Sequence, residues 1–180
     1  MNELKKILMV FGTRPEAIKM APLFHELNKH KSNFKVSVCV TGQHKEMLDQ
    51  VLSTFQIIPD FDLNLMKDGQ DLFDLSSSTL LAMRDVIKKE NPQLILVHGD
   101  TTTSNIAATS SFYLDIPIGH VEAGLRTCDL KSPFPEEFNR QLISMIADFH
   151  FAPTEKSRTN LEKEGVKANS IFVTGNTVID

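Results

Sequence analysis

Two carboxylates and one arginine have neighbours that suggest chemistry rather than surface charge. Glu122 lies between Val121 and Ala123 at the end of an apolar run, where an ionised carboxylate is unfavourable unless it is paired or functional. Asp100 heads three successive threonines, although capping one helix needs a single such residue. Arg14 follows a glycine-containing turn before a predicted helix, where its guanidinium and the free helix N–H groups would bind an anion.

Each of these residues also has a purely structural alternative. Arg126 could neutralise Glu122 in an ordinary ion pair, and Asp100 could serve only as a helix cap. The turn around Arg14 could simply connect a strand to a helix. Lys19 would either add positive charge to an anion site or lie on the surface as an ordinary lysine. The residues alone leave these alternatives open.

A third carboxylate, Glu136, follows a proline-rich approach to a predicted helix. Carboxylates in a first helical turn complement the helix dipole, so Glu136 and its neighbour Glu137 need no ligand to explain them. Arg140 could hold either glutamate through an i,i+3 or i,i+4 pair. Taken by itself, the segment does not decide between a structural and a functional Glu136.

The elements that must position these residues alternate between strand and helix. Short apolar runs predict strands at 6–11, 36–41, 61–65, 94–97, 117–121, 149–152 and 171–174. Helical periodicity predicts helices at 15–30, 45–55, 71–90, 102–114, 136–147 and 155–164, and Pro22 should kink or split the first of them. This order predicts an α/β fold, a Rossmann-like, doubly wound parallel sheet with helices on both faces, in a single domain spanning residues 1–180.

Polar clusters follow six of the predicted strands. The carboxyl ends of parallel strands lie on one edge of a sheet, which is where ligands bind, so we expect the clusters to converge on one crevice. A crevice that holds cations, separated carboxylates and hydroxyls suits a phosphorylated sugar. In chain order the clusters contain GTRPE, TGQH, HGDTTT, EAGLRT, PT and GNT.

Composition excludes several other classes of protein. The net charge of −4, with no strongly basic stretch, argues against a nucleic-acid partner. No apolar run is long enough to span a membrane or to form a signal-peptide core, so we expect a cytoplasmic protein. Cys39 and Cys128 form no CxxC motif, and the histidines lack metal-ligand spacing. The GxGxxG fingerprint of nicotinamide binding is missing, and we expect no metal and no cofactor.

Six motifs together resemble the non-hydrolysing UDP-N-acetylglucosamine 2-epimerases. They occur in the family's order and spacing from about Ile7 to the last residue, and they read FGTRPEAIKMAPL, TGQHKEML, VHGDTTT, GHVEAGLRT, PFPEEFNRQ and GNTVID. The resemblance implies a fold of the GT-B type, in which two Rossmann-like domains enclose the active site. It also implies a cytoplasmic homodimer that acts on a UDP-sugar.

The family's reaction gives the singled-out residues roles. It interconverts UDP-N-acetylglucosamine and UDP-N-acetylmannosamine by eliminating UDP across C1–C2 of the sugar and adding it back, in the synthesis of cell-surface polysaccharide precursors. The resemblance implies that Asp100, Glu122 and Glu136 are the acid–base and hydroxyl-binding carboxylates, and it favours Glu136 over Glu137. It places Arg14 and Lys19 on the phosphate side. It does not tell which carboxylate removes the C2 proton.

The chain departs from the family pattern in two respects. Gln43 and His44 match the segment that binds a second, activating substrate molecule in some members, but Glu46 and Gly69 replace the usual glutamine and arginine, which argues against such activation. Family chains are also about twice as long. We therefore expect an N-terminal half without the C-terminal, uridine-binding domain, and without activity when isolated.

Other functions remain possible at this level. A hydrolysing UDP-N-acetylglucosamine 2-epimerase and a GT-B glycosyltransferase are the alternative enzymes. A module that binds nucleotide sugars without catalysis is the alternative outside enzymes.

Overall fold

The computed structural model describes residues 4–42, 45–67 and 69–179. Within these ranges strands and helices alternate as expected. The strands are β1 (Lys5–Phe11), β2 (Phe34–Val40), β3 (Phe61–Asp62), β4 (Leu94–His98), β5 (Ile118–Val121), β6 (Phe149–Ala152) and β7 (Ile171–Val173). The helices are α1 (Arg14–Lys29), α2 (Lys45–Thr54), α3 (Leu72–Glu90), α4 (Thr102–Tyr113), α5 (Glu136–Ile146) and α6 (Glu155–Lys163).

The strands form one parallel sheet of seven in the order β3-β2-β1-β4-β5-β6-β7. This confirms the predicted Rossmann-like sheet. Sequential strands run outward from β1 in one direction and from β4 in the other, so the topology reverses between β1 and β4. In sheets of this kind the loops after the two strands at the reversal diverge, and ligands usually bind in the crevice between them.

Alternation along β1 builds an apolar layer on each face of the sheet. Ile7, Met9 and Phe11 pack with buried residues of α1 and α2. Leu8 and Val10 point to the opposite face and pack with buried residues of α3, α4 and α5. A strand covered on both faces has no solvated side, which explains its unbroken apolar sequence. None of the described helices is long and apolar enough to cross a membrane.

The first helix is not split at Pro22. The helix α1 begins after the N-cap Thr13 and continues through Pro22 to Lys29 without being split. A proline removes one main-chain hydrogen bond, but Ala17, Met20 and Ala21, which precede it in the helix, are fully buried. Packing against the sheet therefore holds the helix together.

The edge strand β3 is shorter than predicted. It ends at Asp62 instead of continuing to residue 65, because Asn64 has a φ of 44° and leaves the extended region. The main-chain N–H groups of Leu63 and Leu65 still donate to the carbonyls of Val40 and Thr41, at 2.9 and 3.0 Å. The segment thus stays attached to the sheet without regular strand geometry.

Candidate active site

A buried glutamate joins the two loops at the reversal point of the sheet. Glu16 is 2% exposed, and its Oε2 accepts hydrogen bonds from the N–H groups of Gly12 (3.0 Å) and Thr13 (2.7 Å). Its Oε1 accepts from the hydroxyls of Thr101 (2.7 Å) and Ser104 (2.9 Å) across the crevice. Glu16 therefore fixes the β1–α1 turn to the β4–α4 turn.

The sequence reading missed this role of Glu16. Glu16 is given no role of its own in the sequence analysis, whereas its carboxylate makes specific bonds to two separate loops. The spacing of Thr13 and Glu16 is that of a capping box, which the structure contains and which identifies the local half of the network. Nothing in the sequence indicates the bonds to Thr101 and Ser104.

Two of the threonines after Asp100, Thr101 and Thr103, make hydrogen bonds that stabilise the fold. Thr101 is the N-cap of α4, where its side chain accepts from the N–H of Ser104 at 3.0 Å. The hydroxyl of Thr103 is buried and lies 3.0 Å from that of Thr41. The alternative in which Asp100 caps this helix is therefore wrong. Because Thr101 does the capping, the Asp100 carboxylate is available for another role.

Asp100 is held by groups from α5. The Arg140 guanidinium donates to its Oδ2, and the Asn139 side chain donates to its main-chain carbonyl at 2.9 Å. Burial raises the pKa of Asp100, and the nearby charges of Glu136 and Glu122 act in the same direction, against the lowering effect of Arg140. Glu136 and Glu122 thus both lie near enough to Asp100 to raise its pKa.

Glu122 lies at the centre of a set of donors. Lys19 Nζ contacts both of its carboxylate oxygens, at 2.6 and 2.8 Å, and Asn176 donates to Oε1 at 3.1 Å. His98 Nε2 lies 3.4 Å from Oε2. The backbone of Glu122 has a φ of 63°, a left-handed conformation that non-glycine residues rarely adopt. Such strain at a polar crevice is typical of functional sites.

The alternative ion pair between Arg126 and Glu122 is wrong. Arg126 instead makes two 2.7 Å bonds to the carboxylate of Glu164 and donates to the Ser144 hydroxyl at 2.9 Å. Its side chain is only 2% exposed, so it joins the loop after β5 to α5 and to the end of α6. Lys19 supplies the charge opposite Glu122.

Two adjacent glutamates at the start of α5 have different surroundings. The Glu137 carboxylate is fully buried and accepts from the N–H groups of Thr127 (3.1 Å) and Cys128 (3.2 Å) and from the Gln141 amide (2.8 Å). Burial opposes its ionisation, but these bonds together hold its pKa below the ordinary value. Glu136 Oε2 is buried without a hydrogen-bond partner among the described residues. Glu137 thus fixes the loop at Thr127 and Cys128, whereas one carboxylate oxygen of Glu136 can still accept a hydrogen bond from a substrate.

The two cations predicted for the phosphate side differ in their contacts. Arg14 is exposed at the first residue of α1 and has no hydrogen-bond or ion-pair partner within the described part of the chain. Lys19 is half-buried and bound to Glu122. Gln43 and His44, the other predicted substrate contacts, lie outside the described residues.

Two of the buried histidines, His120 and His150, contact main-chain carbonyls. Burial lowers the pKa of His120 to about 3, and its Nε2 donates to the Gly99 carbonyl at 2.7 Å. Burial also lowers the pKa of His98. His150 Nε2 lies 3.0 Å from the Ser144 carbonyl. Across residues 4–42, 45–67 and 69–179, no three His, Cys, Asp or Glu side chains are grouped as a metal site would require.

Comparison with known proteins gives one consistent family. The family model described as UDP-N-acetylglucosamine 2-epimerase matches residues 25–180. The UDP-N-acetylglucosamine 2-epimerase of Yersinia pestis is 59% identical over 175 residues, which are 97% of this chain and 46% of that relative. The chain therefore spans about half the length of the curated relatives it matches.

Solved structures agree with the sequence comparison. UDP-GlcNAc 2-epimerase from Neisseria meningitidis, bound to UDP-GlcNAc, is 53% identical with a TM-score of 0.94, covering 97% of this chain and 47% of that one. The enzyme from Methanocaldococcus jannaschii, in complex with UDP-GlcNAc and UDP, is 35% identical with a TM-score of 0.89, covering 95% and 46%. The likeness lies in the N-terminal half of these GT-B epimerases and confirms the expected fold.

Proposed function

Because the chain belongs to the UDP-N-acetylglucosamine 2-epimerase family, we propose that it supplies one half of an active site that interconverts UDP-N-acetylglucosamine and UDP-N-acetylmannosamine. The observation that supports this proposal is that Glu122 contacts Lys19 of α1 and His98 of β4 beside the reversal of the sheet, with Asp100 near enough for its pKa to respond to Glu122 and Glu136. Inversion at C2 requires removing a proton from one face of the sugar and returning one to the other, which suits separate carboxylates.

The C2 hydrogen of the sugar is not adjacent to a carbonyl, so direct abstraction is unfavourable. Elimination of UDP across C1–C2 leaves a 2-acetamidoglucal, and addition of UDP with the opposite configuration at C2 completes the reaction. Burial raises the pKa of Asp100, whereas the Arg140 guanidinium bonded to its Oδ2 favours the ionised form, so Asp100 is a candidate for binding a sugar hydroxyl as well as for proton transfer. Glu122 and Glu136 are the remaining candidates for removing the C2 proton.

Departing UDP carries negative charge that the site must stabilise. Arg14 at the first residue of α1 is free to meet the diphosphate beside the helix N-terminus. Lys19 is paired with Glu122, so it would have to stabilise the charge of the departing UDP while it stays bonded to that carboxylate. Gln43 and His44 stay predicted substrate contacts.

Hydrogen exchange at C2 tests this function directly. Residues 1–180 are joined to the second half of the Yersinia pestis relative, here termed the completed enzyme, and UDP-N-acetylglucosamine in D2O is followed by proton NMR. We expect deuterium at C2 and formation of the C2 epimer with the completed enzyme, and neither with the 180-residue chain. Turnover by the 180-residue chain would contradict the proposal that it supplies only one half of the active site.

Variants of the completed enzyme assign the residues. Asp100→Asn and Glu122→Gln should abolish exchange, whereas Glu155→Gln, an exposed carboxylate on α6, should exchange like wild type. Wild-type exchange in either site variant would refute the role of that residue. Free UDP and N-acetylmannosamine accumulating with time would indicate the hydrolysing alternative. Tight nucleotide-sugar binding by the 180-residue chain alone would favour the binding module.

We also propose that the enzyme is a cytoplasmic homodimer whose second copy covers an apolar surface on α3, α4 and α5. This surface surrounds a groove of about 690 Å³ and exposes large side chains, among them Phe73 (85% exposed), Tyr113 (69%), Phe134 (64%) and Phe138 (46%). A contiguous patch of this kind is typical of protein interfaces.

A further inference from the structure

The segment after β7 returns to the crevice through two consecutive polar residues. Asn176 donates to Glu122 Oε1 at 3.1 Å, and the Thr177 hydroxyl donates to the main-chain carbonyl of Lys19 at 2.6 Å. The N–H of Val178 donates to Asn176 Oδ1 at 3.1 Å, which orients the amide with its NH2 group toward Glu122. Two neighbouring residues thus contact both members of the Lys19–Glu122 pair.

Apolar packing does not explain where this segment lies. From residue 174 to residue 179 the half-buried positions are Asn176 and Thr177, whereas Val178 and Ile179 are 57% and 85% exposed. The polar side chains of the segment face inward instead, toward the pair.

The contacts fix different parts of the pair. Thr177 holds the main chain of α1 at the residue that carries the lysine side chain, and Asn176 occupies one carboxylate oxygen of Glu122. Lys19 Nζ bonds to both oxygens of the same carboxylate. With the amide in place, rotation of the Glu122 carboxylate would break bonds to two donors at once.

We propose that Asn176 and Thr177 are positioning residues that hold the Lys19–Glu122 pair in its reactive arrangement. This inference rests on the proposed function, because it assumes that Glu122 acts on the substrate. Neither residue touches the reacting atoms through the contacts described. Small displacements of reacting groups reduce turnover strongly, while binding through the rest of the substrate is retained.

The test uses the completed enzyme and separates kcat from KM. In Asn176→Ala and Thr177→Val we expect kcat to fall by about 10- to 100-fold with KM changed less than about threefold. Thr177→Ser keeps the hydroxyl and should restore most of kcat. The controls Asn169→Ala and Thr159→Val replace exposed residues of the same types and should behave like wild type.

Several results would overturn the proposal. Wild-type kcat in Asn176→Ala and Thr177→Val would do so, as would equal loss in Thr177→Ser and Thr177→Val. A large rise in KM at constant kcat would assign the two residues to substrate binding instead. Unfolding of a variant is recognised by circular dichroism, and the Thr177→Ser rescue then still tests the hydroxyl.

A second readout does not depend on activity. In the 180-residue chain, Glu122→Gln should shift the side-chain amide resonances of Asn176 in a ¹⁵N–¹H spectrum, and Glu162→Gln on α6 should not. If the completed enzyme is inactive but the expected shift is seen, the proposed function is rejected and the hydrogen bond between Asn176 and Glu122 is retained. If the enzyme is active but the shift is absent, the hydrogen bond between Asn176 and Glu122, and with it the positioning role of Asn176, is rejected.

Discussion

At the scale of single residues, neighbouring glutamates show how hydrogen-bond partners separate a structural role from a chemical one. Glu136 and Glu137 have the same side chain and occupy the same first turn of α5. Glu137 uses its oxygens to bind the N–H groups of Thr127 and Cys128, whereas one oxygen of Glu136 has no donor in the described part of the chain. Removal of charge should therefore affect different properties at the two positions.

We expect Glu137→Gln to destabilise the fold by about 2 to 4 kcal/mol, because an amide NH2 replaces an acceptor opposite buried donors. Glu136→Gln should change the free energy of unfolding by less than about 1 kcal/mol, since little bonding is lost. It should nevertheless abolish C2 exchange in the completed enzyme. Urea denaturation measures the two changes in stability, and the C2 exchange measurement tests the loss of activity in Glu136→Gln. Equal destabilisation by the two variants would contradict the division of roles between Glu136 and Glu137.

His120 gives the fold a specific sensitivity to acid. Because burial lowers its pKa to about 3, against 6.5 for a free ring, the unfolded chain binds a proton between these values and the folded chain does not. The folded-state pKa is depressed, so its stabilising contribution is complete above pH 6.5 and is lost as the pH falls toward 3.

We expect the free energy of unfolding of wild type, relative to His120→Gln, to fall by up to about 1.4 kcal/mol per pH unit below pH 6. Urea denaturation at pH 7, 6 and 5 measures this difference, with pH 7 as the reference point. Parallel curves for the two proteins would contradict the buried neutral ring. An NMR titration of wild type gives an independent check, because the His120 ring should stay neutral at pH 5.

At the scale of elements, α6 approaches the connection after β5 so closely that one position has no room for a side chain. A Cβ at Gly124 would lie 2.3 Å from the carbonyl oxygen of Ser157, and the residue has a φ of 88°. Its own carbonyl accepts from the Asn160 side chain at 3.0 Å. The glycine therefore lets the loop that carries Glu122 pack against α6.

Gly124→Ala should destabilise the protein by at least about 2 kcal/mol more than Gly165→Ala. Gly165 is a matched control, since its φ is 87° but no atom lies within 4 Å of the Cβ position. Both variants carry the conformational strain of alanine at positive φ, about 1 to 2 kcal/mol, and only Gly124→Ala adds the steric clash. Thermal or urea unfolding measures the difference, and equal effects would show that α6 yields to the added methyl.

At the scale of the whole molecule, the two faces of the sheet differ in what covers them. The helices α3, α4 and α5 leave an apolar surface exposed, with Phe73 at 85%. Ile58, which is 86% exposed, lies instead between α2 and β3. These two residues match in exposure and differ in their surroundings.

We expect Phe73→Asp to weaken or abolish dimers of the completed enzyme, because it introduces a charge into the proposed interface. Ile58→Asp should leave the dimer unchanged. Sedimentation equilibrium gives the mass of each protein. A wild-type monomer, or equal dissociation in both variants, would contradict the assignment of this surface.

The fold was largely predictable from the sequence, and the reason is local. Apolar runs such as LILV and the periodicity of the helices depend on neighbours in the chain, and their alternation leaves few topologies. Tertiary packing overrode local preference at Pro22, where buried contacts keep α1 continuous. At Asn64 a left-handed residue shortened β3.

The sequence by itself determined which residue types would meet at the carboxyl edge of the sheet, since parallel strands end on one side. Only the tertiary structure decided their partners. Lys19 contacts Glu122 across 103 positions in the chain, and Arg126, close to Glu122 in sequence, turns to Glu164. Strand order and a positive φ at Glu122 set these pairings, and neither quantity is a property of neighbouring residues. Pattern therefore identified the carboxylates, and long-range packing decided which of them are held for structure and which remain open to a substrate.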